Sequence, residues 1–157
     1  MVVNPLPKHI RTKFITELEY DFARSEFATT LTLDKYATEE SAANGLLMPA
    51  VIFDSEWKKT EEMLKRAAEK KPEYVIISNL GQIERVKGIL PEAKLVADFR
   101  FNIGNTDTAA FCEEMGFESY VASAELSLPQ LRDLGGAKAA IVYGRVPLMT
   151  LERCINK

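Results

Sequence analysis

The chain has 157 residues, a formal net charge of −3 and a pI of about 5.3, and this length suits one ordinary domain. Its 46% hydrophobic and 27% charged residues are typical of a soluble globular protein, and the acidic balance argues against a domain that binds phosphate backbones by itself. No apolar run approaches the ~20 residues that span a bilayer, and the first residues lack the pattern of a secretory signal, so we expect a cytoplasmic protein without a membrane partner.

The first 45 residues carry mixed patterns. Between residues 10 and 22, the apolar positions fit one face of a helix and the alternation of a strand equally well. The Thr-rich stretch 27–33 predicts a strand, and the stretch 34–44 predicts a helix that ends at Gly45. We assign residues 1–45 to an N-terminal cap or edge segment.

From residue 46 to residue 157, short apolar runs alternate with helical patterns. The runs are rich in β-branched and aromatic residues, as expected of strands buried on both faces. The predicted strands are 47–53, 74–78, 94–99, 120–123 and 139–142, and the predicted helices are 55–70, 80–90, 106–115 and 127–134. Such alternation predicts a parallel sheet with right-handed crossovers. Spacing alone does not separate an open doubly wound sheet from part of a barrel.

Polar residues follow each predicted strand, at the end where ligands gather in parallel α/β architectures. These residues are Asp54, Asn79 with Gly81, Arg100 with Asn102, Ser123 with Glu125, and Tyr143 with Arg145. Arg100 and Arg145 are the best anion-binding candidates, because a guanidinium makes two-point contacts with carboxylate or phosphate. Glu125 is expected to pair with one of these arginines, and the alternative is a general acid or base if it is buried. Taken singly, each residue is also explained as a loop cap or surface ion pair.

No familiar catalytic motif accompanies these residues. The single histidine, His9, lies in a Pro-flanked segment and is predicted to be solvated. There is no Gly-rich phosphate loop and no Gly-x-Ser-x-Gly elbow. The two cysteines are too few for a disulfide framework or a closed metal site. Cys112 is predicted to be a small core residue, and Cys154 is the more interesting thiol.

The segment from Val142 to Met149, Val-Tyr-Gly-Arg-Val-Pro-Leu-Met, together with Cys154 resembles the signature region of the collagenase-like peptidase family U32. Upstream, the stretches 78–82, 97–102 and 125–131 support the resemblance by their order and spacing, and it covers about residues 46–154. Family members resemble TIM-type barrels. The resemblance implies that Asn79, Arg100, Asn102, Glu125 and Arg145 line the mouth of the barrel.

The resemblance also implies a cofactor in related proteins. In members that act in RNA or quinone hydroxylation, Cys154 would be the first of several cysteines that hold an iron–sulfur cluster. This chain lacks the remaining cysteines, so we expect no cofactor in it and treat Cys154 as one ligand of an incomplete cluster. The resemblance leaves an iron–sulfur cluster open for a longer parent protein. A full barrel needs eight strand-helix units and about 250 residues. We therefore expect a truncated domain that resembles the C-terminal half of the barrel.

The predicted fold is an α/β chain: a partial TIM-type barrel or an open parallel sheet of about five strands alternating with helices, plus an irregular N-terminal segment. Its exposed sheet edges are expected to be covered by self-association, as a homo-oligomer, or by the N-terminal segment.

The leading functional hypothesis is a domain of a U32-type peptidase without a complete catalytic apparatus of its own. Its candidate catalytic residues are Glu125 and Arg145, and its candidate substrate-binding residues are Asn79, Arg100, Asn102 and Tyr143. One alternative is the substrate-binding part of an iron–sulfur-dependent RNA-hydroxylating enzyme of the same family. The other is a non-catalytic binding or assembly module. Peptide and RNA both stay open as substrates.

Overall fold

A computed structural model describes residues 30–38 and 43–142, which form one sheet of six parallel strands flanked by helices. The strands are β1 (Thr30–Thr32), β2 (Gly45–Leu47), β3 (Tyr74–Ile77), β4 (Lys94–Ala97), β5 (Ser119–Val121) and β6 (Lys138–Ala139). The helices are α1 (Leu33–Thr38), α2 (Trp57–Glu69), α3 (Ile83–Ile89), α4 (Thr106–Glu114) and α5 (Leu128–Asp133). Short 3-10 helices lie at Asp54–Glu56, Leu80–Gln82 and Phe99–Phe101.

The order of the strands in the sheet is β1-β2-β3-β4-β5-β6, the same as their order in the chain. A doubly wound sheet reverses its strand order at a switch point, whereas the wall of a barrel keeps the sequential order. Within the described residues the sheet has the sequential order and stays open, with β1 and β6 at its edges. The predicted α/β fold with an open parallel sheet is therefore confirmed. The order of the strands in this sheet is the one found in the wall of a barrel.

Strand β1 comes from the segment that was predicted to be an N-terminal cap or edge segment. Thr30 pairs with Gly45 and Thr32 pairs with Leu47, so β1 adds a parallel strand to the edge of the sheet. It lies inside the predicted strand 27–33. The division of the chain into residues 1–45 and 46–157 stays a prediction.

Strand β2 is shorter than predicted. The apolar run 47–53 predicted a strand, but β2 ends at Leu47, and Val51 and Phe53 are 50% and 48% exposed. Pro49 has no N–H to donate to a strand ladder, so the run leaves the sheet there. The rest of the run forms an apolar loop at the carboxyl end of β2 instead of a buried strand.

The core lies between the sheet and the helices. Leu46, Val75 and Leu95 occupy matched register positions on β2, β3 and β4, and all three are buried. Helix α2 buries Leu64 and Ala67 against the same cluster. Full burial of an aliphatic side chain stabilises a fold by about 1.5–3 kcal/mol. This layer therefore fixes the positions of the three strand ends that carry the candidate site.

The described helices are too short to cross a membrane. The longest of them, α2, has 13 residues, and a bilayer requires ~20. In this part of the chain no helix combines the length and apolar character of a membrane span. The cytoplasmic location stays a prediction.

Candidate functional site

Buried polar side chains meet at the carboxyl edge of the sheet, where β3 and β4 end. The Asp98 N–H donates to the Ile77 carbonyl oxygen at 2.8 Å, which extends the β3–β4 ladder by one residue. This extension places Ser78 beside Asp98, and the Ser78 hydroxyl donates to Asp98 Oδ2 at 3.1 Å. Both residues are buried. The edge therefore holds a carboxylate that is shielded from water.

Arg100 pairs with this carboxylate. Its Nη1 donates to Asp98 Oδ2, the oxygen that also accepts from Ser78. The side chain of Asp98 is 7% exposed and that of Arg100 is 32% exposed, so the guanidinium reaches from a buried partner toward solvent. The guanidinium carbon lies 4.6 Å from the centroid of the Phe99 ring, within the range of a cation–π contact. Two contacts of different kinds thus fix the orientation of the guanidinium.

Arg100 lines a cleft of about 260 Å³ at the ends of β1 and β2. The other lining residues are Thr32, Leu33, Asp34, Leu47, Met48, Pro49 and Ala50. We call this space the Arg100 cleft. Its wall is largely apolar, and Arg100 and Asp34 are the two ionisable residues among the described residues that line it. A hydrogen bond with the Thr32 side chain lowers the pKa of Asp34, so the cleft combines one fixed cation with one carboxylate that is ionised at neutral pH.

Gln82 supports the wall of this cleft, although the sequence patterns did not single it out. It is fully buried. Its Oε1 accepts from the Ser78 N–H at 3.0 Å, and its Nε2 donates to the Pro49 carbonyl oxygen at 2.6 Å. The predicted site residue Asn79 makes a second link of the same kind, because its Nδ2 donates to the Ala50 carbonyl oxygen at 3.2 Å. Two amides thus tie the end of β3 to the loop after β2.

Asn102 and Glu125, two other predicted site residues, belong to a separate group at the ends of β4 and β5. Asn102 adopts the left-handed conformation with φ 51° and ψ 45°. The Ser123 hydroxyl donates to Asn102 Oδ1 at 2.5 Å and accepts from the Glu125 N–H at 3.3 Å. Glu125 is exposed, and within the described residues its carboxylate has no ion-pair partner. Arg100 pairs with Asp98 and not with Glu125.

The remaining predicted site residues, Tyr143, Arg145 and Cys154, lie outside the described residues, as does His9. Cys112 is a buried core residue of α4, as predicted, and burial raises the pKa of its thiol. In the described ranges no group of three or more His, Cys, Asp or Glu residues is placed to hold a metal ion. The implied iron–sulfur cluster therefore has no ligand set in the described part of the chain.

Comparison with known proteins gives one match. A family model with the description Peptidase family U32 matches residues 19–155. No curated protein and no solved structure matches the chain. The matched range includes β1 and all the strand ends described above, and it begins before the range 46–154 over which the sequence resemblance was found.

Proposed function

Because the chain belongs to peptidase family U32, we propose that it is the substrate-binding domain of a collagenase-like peptidase and that it binds peptide at the carboxyl edge of its sheet. The observation that carries the proposal is the placement of Arg100, whose guanidinium lines a cleft while buried Asp98 holds it. A fixed guanidinium is suited to carboxylates and other planar anions, which peptides offer at their C-terminus and acidic side chains.

The described residues favour binding over hydrolysis. A nucleophilic hydroxyl needs an adjacent base that can accept its proton. The Ser78 hydroxyl donates to Asp98 Oδ2, but Arg100 Nη1 donates to the same oxygen, so this carboxylate already has an ion-pair partner. The Ser123 hydroxyl donates to the amide oxygen of Asn102, which is not a base. We therefore propose that Glu125, together with Arg145, is the pair to test for catalysis, and that the Arg100 cleft binds substrate.

The test combines peptide binding and peptide hydrolysis on the full chain. Gelatin and collagen-derived peptides are incubated with the wild type, Glu125→Ala and Glu62→Ala, each with and without a metal chelator. Glu62 is an exposed residue of α2 and serves as the matched control. We expect all three proteins to bind peptide with the same affinity and none to hydrolyse it.

Three other outcomes are informative. Hydrolysis that survives chelation, persists in Glu62→Ala and is lost in Glu125→Ala would establish a complete peptidase and overturn the binding-only proposal. Iron in the purified protein together with RNA binding would favour the RNA-hydroxylating alternative. An absence of peptide binding in all three proteins would leave the assembly module as the better explanation.

A further inference from the structure

We infer that the Arg100 cleft recognises the C-terminal carboxylate of a peptide whose last side chain is apolar. This inference rests on the proposed peptide-binding function and names the part of the peptide that the cleft takes. It is carried by the combination of one held guanidinium, an apolar wall and a small volume.

The guanidinium has free donors. An arginine carries five N–H donors in a planar fork. The bond to Asp98 uses Nη1, and within the described residues no partner is found for Nε or Nη2. Stacking on Phe99 and pairing with Asp98 restrict the side chain before any ligand arrives. A pre-oriented fork loses less rotamer freedom on binding, which favours a two-point contact with a carboxylate.

The cleft wall selects an apolar group beside that carboxylate. Leu33, Leu47, Met48 and Pro49 line the same space as Arg100. A C-terminal residue brings its carboxylate and its side chain together from one Cα atom, so it can satisfy the guanidinium and the apolar wall at once. The side chain of Asp or Glu offers the carboxylate alone. The volume of about 260 Å³ lies slightly below the ~300–1,000 Å³ of drug-sized sites, which suits a single terminal residue.

A nucleic acid is a poor match for the same cleft. Sites for phosphate backbones cluster several Lys and Arg residues, and among the described residues the lining has one arginine and no lysine. Asp34 lies in the lining, and its lowered pKa keeps it negative at neutral pH. The negative charge of Asp34 would repel a second phosphate group bound near Arg100. The chain as a whole also carries a net charge of −3.

The primary test uses the unaltered protein and three synthetic peptides with an N-terminal fluorophore. One ends in Leu with a free carboxylate, one has the same sequence with a C-terminal amide, and one is amidated but carries Glu in place of the last Leu. Binding is measured by fluorescence anisotropy. We expect the free-acid peptide to bind about 10- to 100-fold more tightly than its amide, as for the loss of a hydrogen bond to a charged group.

The third peptide and an RNA oligonucleotide separate the alternatives. Equal affinity for the free acid and the amide would overturn the inference while the proposed peptide binding survives. Tight binding of the Glu-amide peptide would show that an acidic side chain is the ligand and would also overturn it. Preference for the RNA oligonucleotide over every peptide would overturn the inference and the proposed function together.

Variants then assign the effect to Arg100. Arg100→Lys keeps the charge but loses the planar fork, and we expect it to lower the preference for the free acid about tenfold. Arg85→Lys is the matched control, because Arg85 also pairs with a carboxylate, that of Glu61 at 2.7 Å, and stacks on Trp57 at 4.2 Å. It is absent from the cleft lining. An unchanged preference in Arg100→Lys, or an equal loss in both variants, would contradict the assignment.

Discussion

Gln82 Nε2 donates to the Pro49 carbonyl oxygen at 2.6 Å, across an interval of 33 residues in the chain. Pro49 lines the Arg100 cleft, while Gln82 is fully buried behind it. The same side chain accepts from the Ser78 N–H at 3.0 Å. One buried amide therefore joins the wall of the cleft to the end of β3, where the Ser78 hydroxyl donates to Asp98.

Replacing Gln82 by Ala is expected to loosen this wall. The change leaves the Ser78 N–H and the Pro49 carbonyl without their partner, and an unsatisfied buried polar group costs about 1–3 kcal/mol. We expect the free energy of unfolding in urea to fall by at least that amount, and peptide affinity to fall with it. Gln130→Ala is the control, since Gln130 is exposed and its side chain bonds only to Ser127 among the described residues. A loss in Gln82→Ala no larger than in Gln130→Ala would contradict the role of the amide.

Asp98→Asn tests the buried ion pair. The substitution keeps the shape of the side chain but removes the charge that faces Arg100, and hydrogen bonds to charged groups contribute about 1.5–3 kcal/mol. The partly exposed guanidinium can recover some hydration, so we expect a loss of about 1–2 kcal/mol in urea unfolding. The control is Asp133→Asn, because the Arg132–Asp133 pair is exposed on both sides and is screened by solvent, so we expect a smaller loss there. Equal losses in the two variants would show that burial does not strengthen the Asp98 pair.

Replacing either of two glycines by alanine should change the stability of the protein, in opposite directions at the two positions. Gly136 has φ +77°, and an added Cβ would lie 2.7 Å from Glu113 Oε1 and 3.2 Å from Tyr120 Cε1. Gly88 lies in α3, and an added Cβ would meet nothing within 4 Å. We expect Gly136→Ala to destabilise the protein by about 1–2 kcal/mol and Gly88→Ala to stabilise it by up to about 1 kcal/mol. The midpoint of urea unfolding measures both changes. A shift in the same direction for the two variants would contradict the described backbone.

The alternation of strands and helices could be predicted from the sequence because it depends on local periodicity. Helix α2 matches its predicted extent closely, and Cys112 is buried as expected. The apolar run that includes Val51 and Phe53 gave a wrong strand, since hydrophobicity alone does not report that Pro49 ends the ladder.

The contacts of the site depend on long-range geometry, which the sequence does not display. Arg100 was expected to pair with Glu125 as one option, but its partner is Asp98, two residues away. Gln82 lies in the stretch 78–82 that supports the family resemblance, but nothing marked it as a site residue, because a glutamine at the start of a helical pattern is ordinarily exposed. The parallel pairing of β3 with β2 brings Gln82, which follows β3, close to Pro49, which follows β2. Site residues at strand ends could be proposed, whereas their partners could not.

The thiol of Cys112 should be protected in the folded protein. Its burial raises its pKa, so the neutral thiol is the favoured form in the fold and the thiolate forms more readily in the unfolded chain. In a Cys154→Ser background, which leaves one thiol, we expect slow reaction with an alkylating reagent in buffer and fast reaction in urea.

The raised pKa of Cys112 also determines how the free energy of unfolding changes with pH. The folded-state pKa is above that of the unfolded chain, so the contribution of this group to stability is constant below the ordinary thiol pKa and decreases as the pH rises past it. Urea unfolding of Cys154→Ser from neutral to alkaline pH, compared with Cys112→Ala in the same background, isolates the effect. Parallel pH profiles for the two proteins, or fast alkylation of the folded thiol, would contradict it.

Asp34 should set the charge preference for the residue before the peptide C-terminus. It lines the Arg100 cleft, and the hydrogen bond with the Thr32 side chain keeps its pKa low, so it is ionised at neutral pH. A peptide with Glu before its terminal Leu would bring a second negative charge near Asp34. We expect this peptide to bind about three- to tenfold more weakly than one with Gln at that position, which corresponds to about 0.6–1.4 kcal/mol.

Asp34→Asn should remove this discrimination without reducing the affinity for the Gln peptide, and the difference between the peptides should shrink at high salt because the interaction is exposed. Asp54→Asn provides the comparison, since Asp54 is an exposed carboxylate of the 3-10 helix that follows the loop after β2, and it is absent from the cleft lining. If Asp54→Asn removed the discrimination as well, the effect would come from the net charge of the edge and not from Asp34. Loss of affinity for the Gln peptide in Asp34→Asn alone would instead make Asp34 a direct ligand of the peptide and would contradict the explanation by charge repulsion.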